Sequence, residues 1–160
     1  MNLLFDFTIL HVLISLIALI SGGALAAAFA KGDDPRGTRL TFLWSTAANL
    51  LTGFLFPFHE VTPAIVVGVI NTAILIGTII AYRKGGARGL WPVTYKIGAL
   101  TLLYFNCLVL IAQSFQKVPV LHAVAPVGNE LPVIVSQGVL FVVALLVGYA
   151  GLRGSRRQFP

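Results

Sequence analysis

Long apolar runs alternate along the chain with short polar segments rich in Gly, Pro and charged residues. Five of these runs are long enough to cross a bilayer as helices, since one crossing takes roughly 20 apolar residues. The sequence therefore predicts an all-α, polytopic integral membrane helical bundle that forms a single domain over residues 1–160. The five predicted transmembrane helices cover residues 4–30, 40–56, 64–82, 97–115 and 133–152.

Two of the connections between the predicted helices carry turn signals. The segment 31–39 contains Gly32, Pro35 and a pair of aspartates, which favour a turn over a continuous helix. The segment 57–63 predicts a tight turn and ends in Thr62 and Pro63. Because threonine is a good N-cap and proline suits the first helical position, we expect the third helix to begin at this pair.

Basic residues are confined to a few of the polar segments. Ten of the eleven Lys and Arg residues lie within 31–39, 83–96 and 153–157, and Lys117 is the exception. Short basic loops stay on the cytoplasmic side when a membrane protein inserts. With five spans, this pattern predicts that the N-terminus lies outside and the C-terminus lies in the cytoplasm.

The composition supports a membrane location and narrows the classes of partner. Hydrophobic residues make up 58% of the chain and charged residues 10%, and the mean hydropathy is +0.93. Five spans in 160 residues leave no room for a soluble catalytic domain. The net charge of +6 is spread over loops beside spans. We therefore expect the lipid bilayer and other membrane subunits or self-association as partners, and no nucleic acid.

The first apolar run has a second interpretation, because 24–26 and 28–30 have the small-x-small pattern that precedes a signal-peptidase cut. Cleavage there would leave four spans. A signal peptide normally begins with a basic region, whereas the first residues here include Asp6 and no Lys or Arg. This difference favours a retained first span.

Polar residues inside the predicted spans are the best candidates for a site, because an unpaired polar group in hydrocarbon costs several kcal/mol. Asn106, Gln113 and Lys117 follow one stripe of the fourth span at helical spacing, and His11 lies in the first span. One interpretation is that such groups only tie the helices together. The other is a cavity open to the outside that binds a cofactor through His11, Asn106 and Gln113.

All three histidines fall in the outer half of the predicted topology. Together with Glu60 and Glu130, the set His11, His59 and His122 could hold a metal or supply ligands to a haem. Their spacing is not diagnostic of a metal site. Cys107 is the single cysteine of the chain, which excludes an intramolecular disulfide. No known catalytic motif occurs in the sequence, so no catalytic residue is assigned.

Three segments resemble parts of small bacterial multi-pass membrane proteins of the domain-of-unknown-function kind. They are Thr52-Gly-Phe-Leu-Phe-Pro-Phe58, the stretch from Tyr104 to Pro119 and Ala125-Pro-Val-Gly-Asn-Glu-Leu-Pro132. The similarity extends over most of the chain from the second span onward. This resemblance implies a location in the bacterial inner membrane and supplies no activity.

The sequence leaves three hypotheses for function. Small size, short loops and the lack of catalytic motifs favour a non-enzymatic accessory or scaffold subunit of a larger membrane complex. The alternative is a redox protein that binds haem, a metal or a quinone near the outer surface. A small channel or transporter component is the third possibility, although the spans contain no ring of charge and no paired carboxylates.

Overall fold

A computed structural model describes residues 3–57, 62–85 and 89–156, with side chains as far as residue 153. These residues form helices joined by short turns and contain no strand. The helices are α1 (Leu3–Lys31), α2 (Arg36–Phe54), α3 (Pro63–Lys84), α4 (Trp91–Lys117), the short α5 (Pro119–Val124) and α6 (Leu131–Arg156). The all-α bundle expected from the apolar runs is the architecture observed.

Four of the helices are long and apolar enough to cross a membrane, namely α1, α3, α4 and the part of α6 that ends at Arg153. The second predicted span corresponds to α2, whose 19 residues extend over about 28 Å. Its polar residues, among them Arg36, Arg39 and Asn49, make it less apolar than the other long helices. The count of five spans and the orientation of the termini remain predictions.

The long helices run in alternating directions. The two helices of the pair α1 and α2 are antiparallel, because Ser15 bonds to Asn49 near one end and Gly22 faces Phe42 further along. The pair α3 and α4 is antiparallel as well, because Gly98 faces Thr78 and the Tyr95 ring lies near the Tyr82 ring. Helix α6 packs against α1 and α4. One end of the bundle therefore carries the end of α1, the start of α2, the end of α3, the start of α4 and the end of α6.

That end is named the basic end, because it gathers the described parts of all three basic segments. Arg39 on α2 bonds to Tyr82 on α3, and Lys96 on α4 lies over the ring of Phe29 on α1. Gly151 on α6 packs close to Phe29 as well. Segments far apart in sequence thus share one end of the fold, as the positive-inside pattern requires. The other end, where α1 begins and α4 ends, is named the opposite end.

The core lies between α1, α2, α3 and α4, where apolar side chains from all four helices meet. Phe29, Phe42 and Leu102 are fully buried at its centre. Most outward faces are apolar and exposed, for example at Ile20, which is 73% exposed, and Leu146, which is 64% exposed. An outer surface of this kind is suited to lipid, because hydrocarbon solvates it without cost.

The connections between the helices agree in part with those predicted from the sequence. Helix α3 begins as predicted: Thr62 is its N-cap, the Thr62 hydroxyl accepts a bond from the Ile65 amide, and Pro63 occupies the first helical position. Helix α5 was not predicted, since six residues give too short an apolar pattern to identify. After it, the Glu130 carboxylate accepts bonds from the amides of Val127 and Gly128, which lower the pKa of this exposed carboxyl.

Close contact between helices depends on a glycine at two places. A Cβ atom added at Gly22 on α1 would lie 2.7 Å from the Phe42 ring and 2.8 Å from the Leu103 side chain. At Gly98 on α4, the same atom would collide with the Thr78 side chain on α3. The side chains around Gly22 belong to the tightly packed core, so they have little freedom to move away.

We predict that Gly22→Ala destabilises the bundle by about 1 to 3 kcal/mol, the usual cost of overfilling a packed core. The neighbouring Gly23 is the matched control, because a Cβ there meets nothing within 4 Å. Gly23→Ala should be neutral or slightly stabilising, as alanine is the better helix former. Unfolding of both variants in mild detergent checks the prediction. Equal stability of the two variants would contradict this packing.

Candidate functional site

The opposite end holds a row of polar contacts between α1 and α2. His11 Nδ1 lies 2.7 Å from the Thr52 hydroxyl oxygen. One turn further along, the Ser15 hydroxyl donates to Asn49 Oδ1 at 2.6 Å and also to the backbone oxygen of His11. These bonds join the two helices in a half-buried environment. They place His11 in a bridging position between helices.

Aromatic rings and one cation complete the surroundings of His11. The Phe56 ring meets the imidazole edge-on with centroids 5.2 Å apart, and Phe7 packs on Phe56 at 4.9 Å. Gly53 lies beside the imidazole, where an added Cβ would be in ordinary van der Waals contact with its Cε1 atom at 3.6 Å. Lys117, the last residue of α4, lies at the same end of the bundle as His11.

The predicted metal ligands are not assembled in the part of the chain that the structure describes. His122 lies on α5 and is exposed, while His59 and Glu60 fall outside the described residues. Glu130 directs its carboxylate to backbone amides. No group of three or more His, Cys, Asp or Glu that could hold a metal occurs among residues 3–57, 62–85 and 89–156. A site made of His11, His59 and His122 therefore stays a prediction.

The amides predicted to bind a cofactor lie on α4. Asn106 is 8% exposed, and its Nδ2 atom is buried with no hydrogen-bond partner. Gln113 is half-buried two turns further along the same helix. Cys107, next to Asn106, is also half-buried.

A second buried amide lies across from Asn106 on α3. The contact of Gly98 with Thr78 and that of Tyr95 with Tyr82 define the antiparallel register of α3 and α4. Continued along the helices, this register brings Asn71, which is 4% exposed, to the level of Asn106. Its Oδ1 atom has no hydrogen-bond partner either. An acceptor and a donor are thus buried at one level of the α3 and α4 pair.

A more fully connected polar network lies at the basic end. It consists of Asp34, Arg39, Tyr82 and Tyr95, and it is named the basic-end network. Arg39 Nη1 donates to Asp34 Oδ2 at 2.7 Å, and Nη2 donates to the Tyr82 hydroxyl at 2.9 Å. The Tyr95 hydroxyl donates to Asp34 Oδ1 at 3.3 Å. The network links the turn before α2 to α2, α3 and α4.

Aromatic rings enclose the network and extend it to α1. The guanidinium carbon of Arg39 lies 4.4 Å from the centre of the Tyr82 ring, and the Tyr82 and Tyr95 rings are 5.4 Å apart. Tyr95 meets Phe29 edge-on, and the Lys96 ammonium lies 4.9 Å from the centre of the Phe29 ring. Arg39 is only 8% exposed, so its charge depends on Asp34 and these rings for stabilisation.

The charge pattern alone places Arg39 in the basic segment 31–39, between two spans. The structure shows Arg39 on α2, inside the bundle, and buries Tyr95 in the same network. Arg39 and Tyr82 are separated by 43 residues, so no local pattern could have revealed their bond. The one available signal was the clustering of Asp, Arg and Tyr beside spans that the charge pattern places at the same end.

Comparison of the chain with family models, with curated proteins and with solved structures finds no match. The assignment of function therefore rests on the geometry of the chain itself.

We predict that Arg39→Gln lowers the free energy of unfolding by about 2 kcal/mol. Removing one partner of a fully buried ion pair costs about 3 to 5 kcal/mol, and the Asp34 side chain, 29% exposed, is partly relieved by solvent. Arg36 is the matched control, because it lies on the same helix and is exposed. Arg36→Gln should leave stability within about 0.5 kcal/mol of the parent chain. Similar losses in both variants would show that the network does not stabilise the fold.

Proposed function

We propose that the chain is a non-enzymatic membrane subunit of a larger complex in a bacterial inner membrane. It crosses the membrane five times, with the N-terminus outside and the C-terminus in the cytoplasm, and it binds a helix of another subunit on the outer surface of α1 and α2. Four apolar helices support the membrane location. The bacterial inner membrane is the location that the resemblance of three segments implies.

The surface of α2 supports a fifth span. Its outward stripe is apolar, with Trp44 74% exposed and Leu51 64% exposed. The hydroxyls of Ser45 and Thr52 bond to the backbone of the same helix, at Thr41 and Ala48, and the Asn49 side chain bonds to α1. The Thr46 hydroxyl is buried within the bundle without a partner. A helix that satisfies or buries its polar groups in this way can lie in hydrocarbon even when its mean hydropathy is modest.

The orientation follows from the basic end. Short basic segments stay in the cytoplasm during insertion, and the described parts of all three meet at this end of the fold. Labelling of single cysteines in a Cys107→Ser background tests the orientation. We predict that a membrane-impermeant maleimide added to intact cells labels Val127→Cys and not Arg36→Cys. The reverse pattern would overturn the orientation, and labelling of both would overturn the number of spans.

The observation that carries the proposed role is a groove on the outer surface of α1 and α2. A wider part with a volume of about 650 Å³ lies near the basic end and joins a smaller part of about 350 Å³ at Ala24, which lines both. The α1 side of the groove is made mostly of small residues. The residues that line it are Ile17, Ile20, Ser21, Ala24, Ala27, Ala28, Lys31, Asp33, Asp34, Pro35, Thr38 and Thr41.

A groove lined by small side chains on a lipid-facing surface fits a helix of another chain. Small residues allow two helix backbones to approach closely, and van der Waals contact then drives association in the absence of a hydrophobic effect. From Ile17 to Lys31 the groove follows α1 for about 21 Å, which is most of the thickness of the hydrocarbon core.

We predict that Ala24→Trp, which fills the groove where its two parts join, removes the partner subunit from the protein purified from native membranes. Ile76→Trp is the matched control, because Ile76 faces outward from α3 and is 54% exposed. It should leave the companion chains unchanged. Quantitative mass spectrometry of proteins that co-purify in stoichiometric amount measures the effect.

Cross-linking from a single cysteine identifies what occupies the groove. In a Cys107→Ser background, Ala27→Cys should form an adduct with another polypeptide in native membranes. An adduct at twice the 17.1 kDa mass of the chain would indicate a second copy instead. A chain that purifies without stoichiometric companions, or an equal loss in Ile76→Trp, contradicts the proposed role.

The buried amides favour one alternative function. The unpaired Asn106 Nδ2 is suited to donate to a carbonyl oxygen, as in a quinone, and the unpaired Asn71 Oδ1 is suited to accept from a hydroxyl, as in the corresponding quinol. In this alternative the chain is a redox protein, and His11, Asn106 and Gln113 lie toward the ligand. The absorption spectrum, metal content and lipid extract of the same purified sample distinguish it from the subunit role.

A further inference from the structure

We propose that the basic end binds anionic phospholipid headgroups through cations held in place by interfacial aromatic rings. The cations are Lys84 at the end of α3 and Arg153 at the end of α6, and their rings belong to Trp91 and Tyr149. This inference depends on the membrane location of the bundle. It does not depend on the proposed partner subunit, because the groove on α1 and α2 is formed by other residues.

The basic end carries a net positive charge. Among the described residues, the acidic side chains at this end are Asp33 and Asp34, and Asp34 is already paired with Arg39. The opposite end has the single cation Lys117 in the described part of the chain, together with Asp6 and Glu130. The described cations of the basic end are Lys31, Arg36, Arg39, Arg83, Lys84, Lys96 and Arg153.

Two of these cations have defined positions at the surface. The Lys84 ammonium lies 5.0 Å from the centre of the Trp91 ring. Arg153 lies 5.9 Å from the centre of the Tyr149 ring and donates from Nη1 to the Tyr149 hydroxyl at 3.4 Å. A ring attracts a cation without neutralising it. Both cations therefore keep their full charge and most of their hydrogen-bond donors for a phosphate.

The ring contacts also reduce the entropic cost of binding. A free lysine or arginine side chain loses rotamer freedom worth up to about tenfold in affinity when a ligand immobilises it. Lys84 and Arg153 are already restrained by Trp91 and Tyr149. These two sites should consequently bind phosphate groups better than the unrestrained cations at the same end.

Exposed apolar surface next to the cations fits the acyl chains of a lipid. Leu90, directly before Trp91, is 80% exposed, and Leu146, one turn before Tyr149, is 64% exposed. Tryptophan and tyrosine are enriched at the level where headgroups meet hydrocarbon. A phospholipid satisfies both the charged and the apolar parts of this surface. A free phosphate would satisfy only the charged part.

The proposal predicts a measurable preference for anionic lipid in the purified full-length protein. Native mass spectrometry in detergent should show tighter binding of phosphatidylglycerol than of phosphatidylcholine with the same acyl chains. A cation near an anionic headgroup contributes roughly fivefold in affinity. We therefore expect Lys84→Gln and Arg153→Gln each to weaken phosphatidylglycerol binding at its own site about fivefold, and the double variant to weaken binding at both sites.

Two controls separate a specific site from general attraction. Lys117→Gln removes the same charge at the opposite end and should leave phosphatidylglycerol binding unchanged. Tyr149→Leu keeps the charge of Arg153 and removes its ring, so it should reduce binding by less than Arg153→Gln. Thermal unfolding confirms that each variant is folded, and Lys84→Arg, which keeps the charge, should restore most of the binding.

Three outcomes would overturn the proposal. The first is equal binding of phosphatidylglycerol and phosphatidylcholine, and the second is the same loss in Lys117→Gln as in Lys84→Gln. The third is full competition by millimolar inorganic phosphate, which would identify a site for free anions. The proteins that co-purify in the same samples test the subunit role independently. They should be unchanged in Lys84→Gln and Arg153→Gln, because these variants leave the groove intact.

Discussion

Lipid cannot hydrogen-bond to a helix surface, so the polar groups of a membrane bundle must find partners within the protein. This constraint explains the inner contacts of the chain. Ser45 and Thr52 bond to carbonyl oxygens one turn earlier, and Ser15 reaches across to Asn49. At the basic end, Arg39 has an aspartate and a tyrosine hydroxyl as partners. The helix faces that carry these groups are therefore the faces that turn inward.

The same constraint determines how much of the structure could be predicted from sequence. Apolar runs reveal a helix because the backbone must be satisfied locally, and the Thr62 and Pro63 pair reveals where α3 begins because capping is local as well. The start of α2 was placed too late by four residues. The segment 36–39 is polar, so it did not belong to the apolar run from which the second span was predicted. In the structure these residues are helical, and Arg39 is buried. The burial of Arg39 depends on its contact with Tyr82, which is close to Arg39 only in the folded chain.

For the candidate site as well, the sequence predicts relations within one helix and does not predict contacts between helices. Helical spacing correctly places Asn106 and Gln113 on one helix, α4, and the sequence identified His11 as a polar residue inside a span. Neither pattern shows that His11 meets Thr52, or that Asn71 lies at the level of Asn106. Those relations depend on the register between helices, which is set by side chains such as Phe42 beside Gly22 and Thr78 beside Gly98.

The inner contacts also limit what the molecule can do through its surface. His11, Ser15 and Arg39 are engaged in holding helices together, so they are poorly placed to act on a substrate. On the outer surface, the groups left for other molecules are the small residues of the groove around Ala24 and the cations Lys84 and Arg153. The first set fits a helix and the second fits a phosphate. We therefore propose that the bundle acts by contact with its membrane neighbours, because its paired polar groups hold its own helices together.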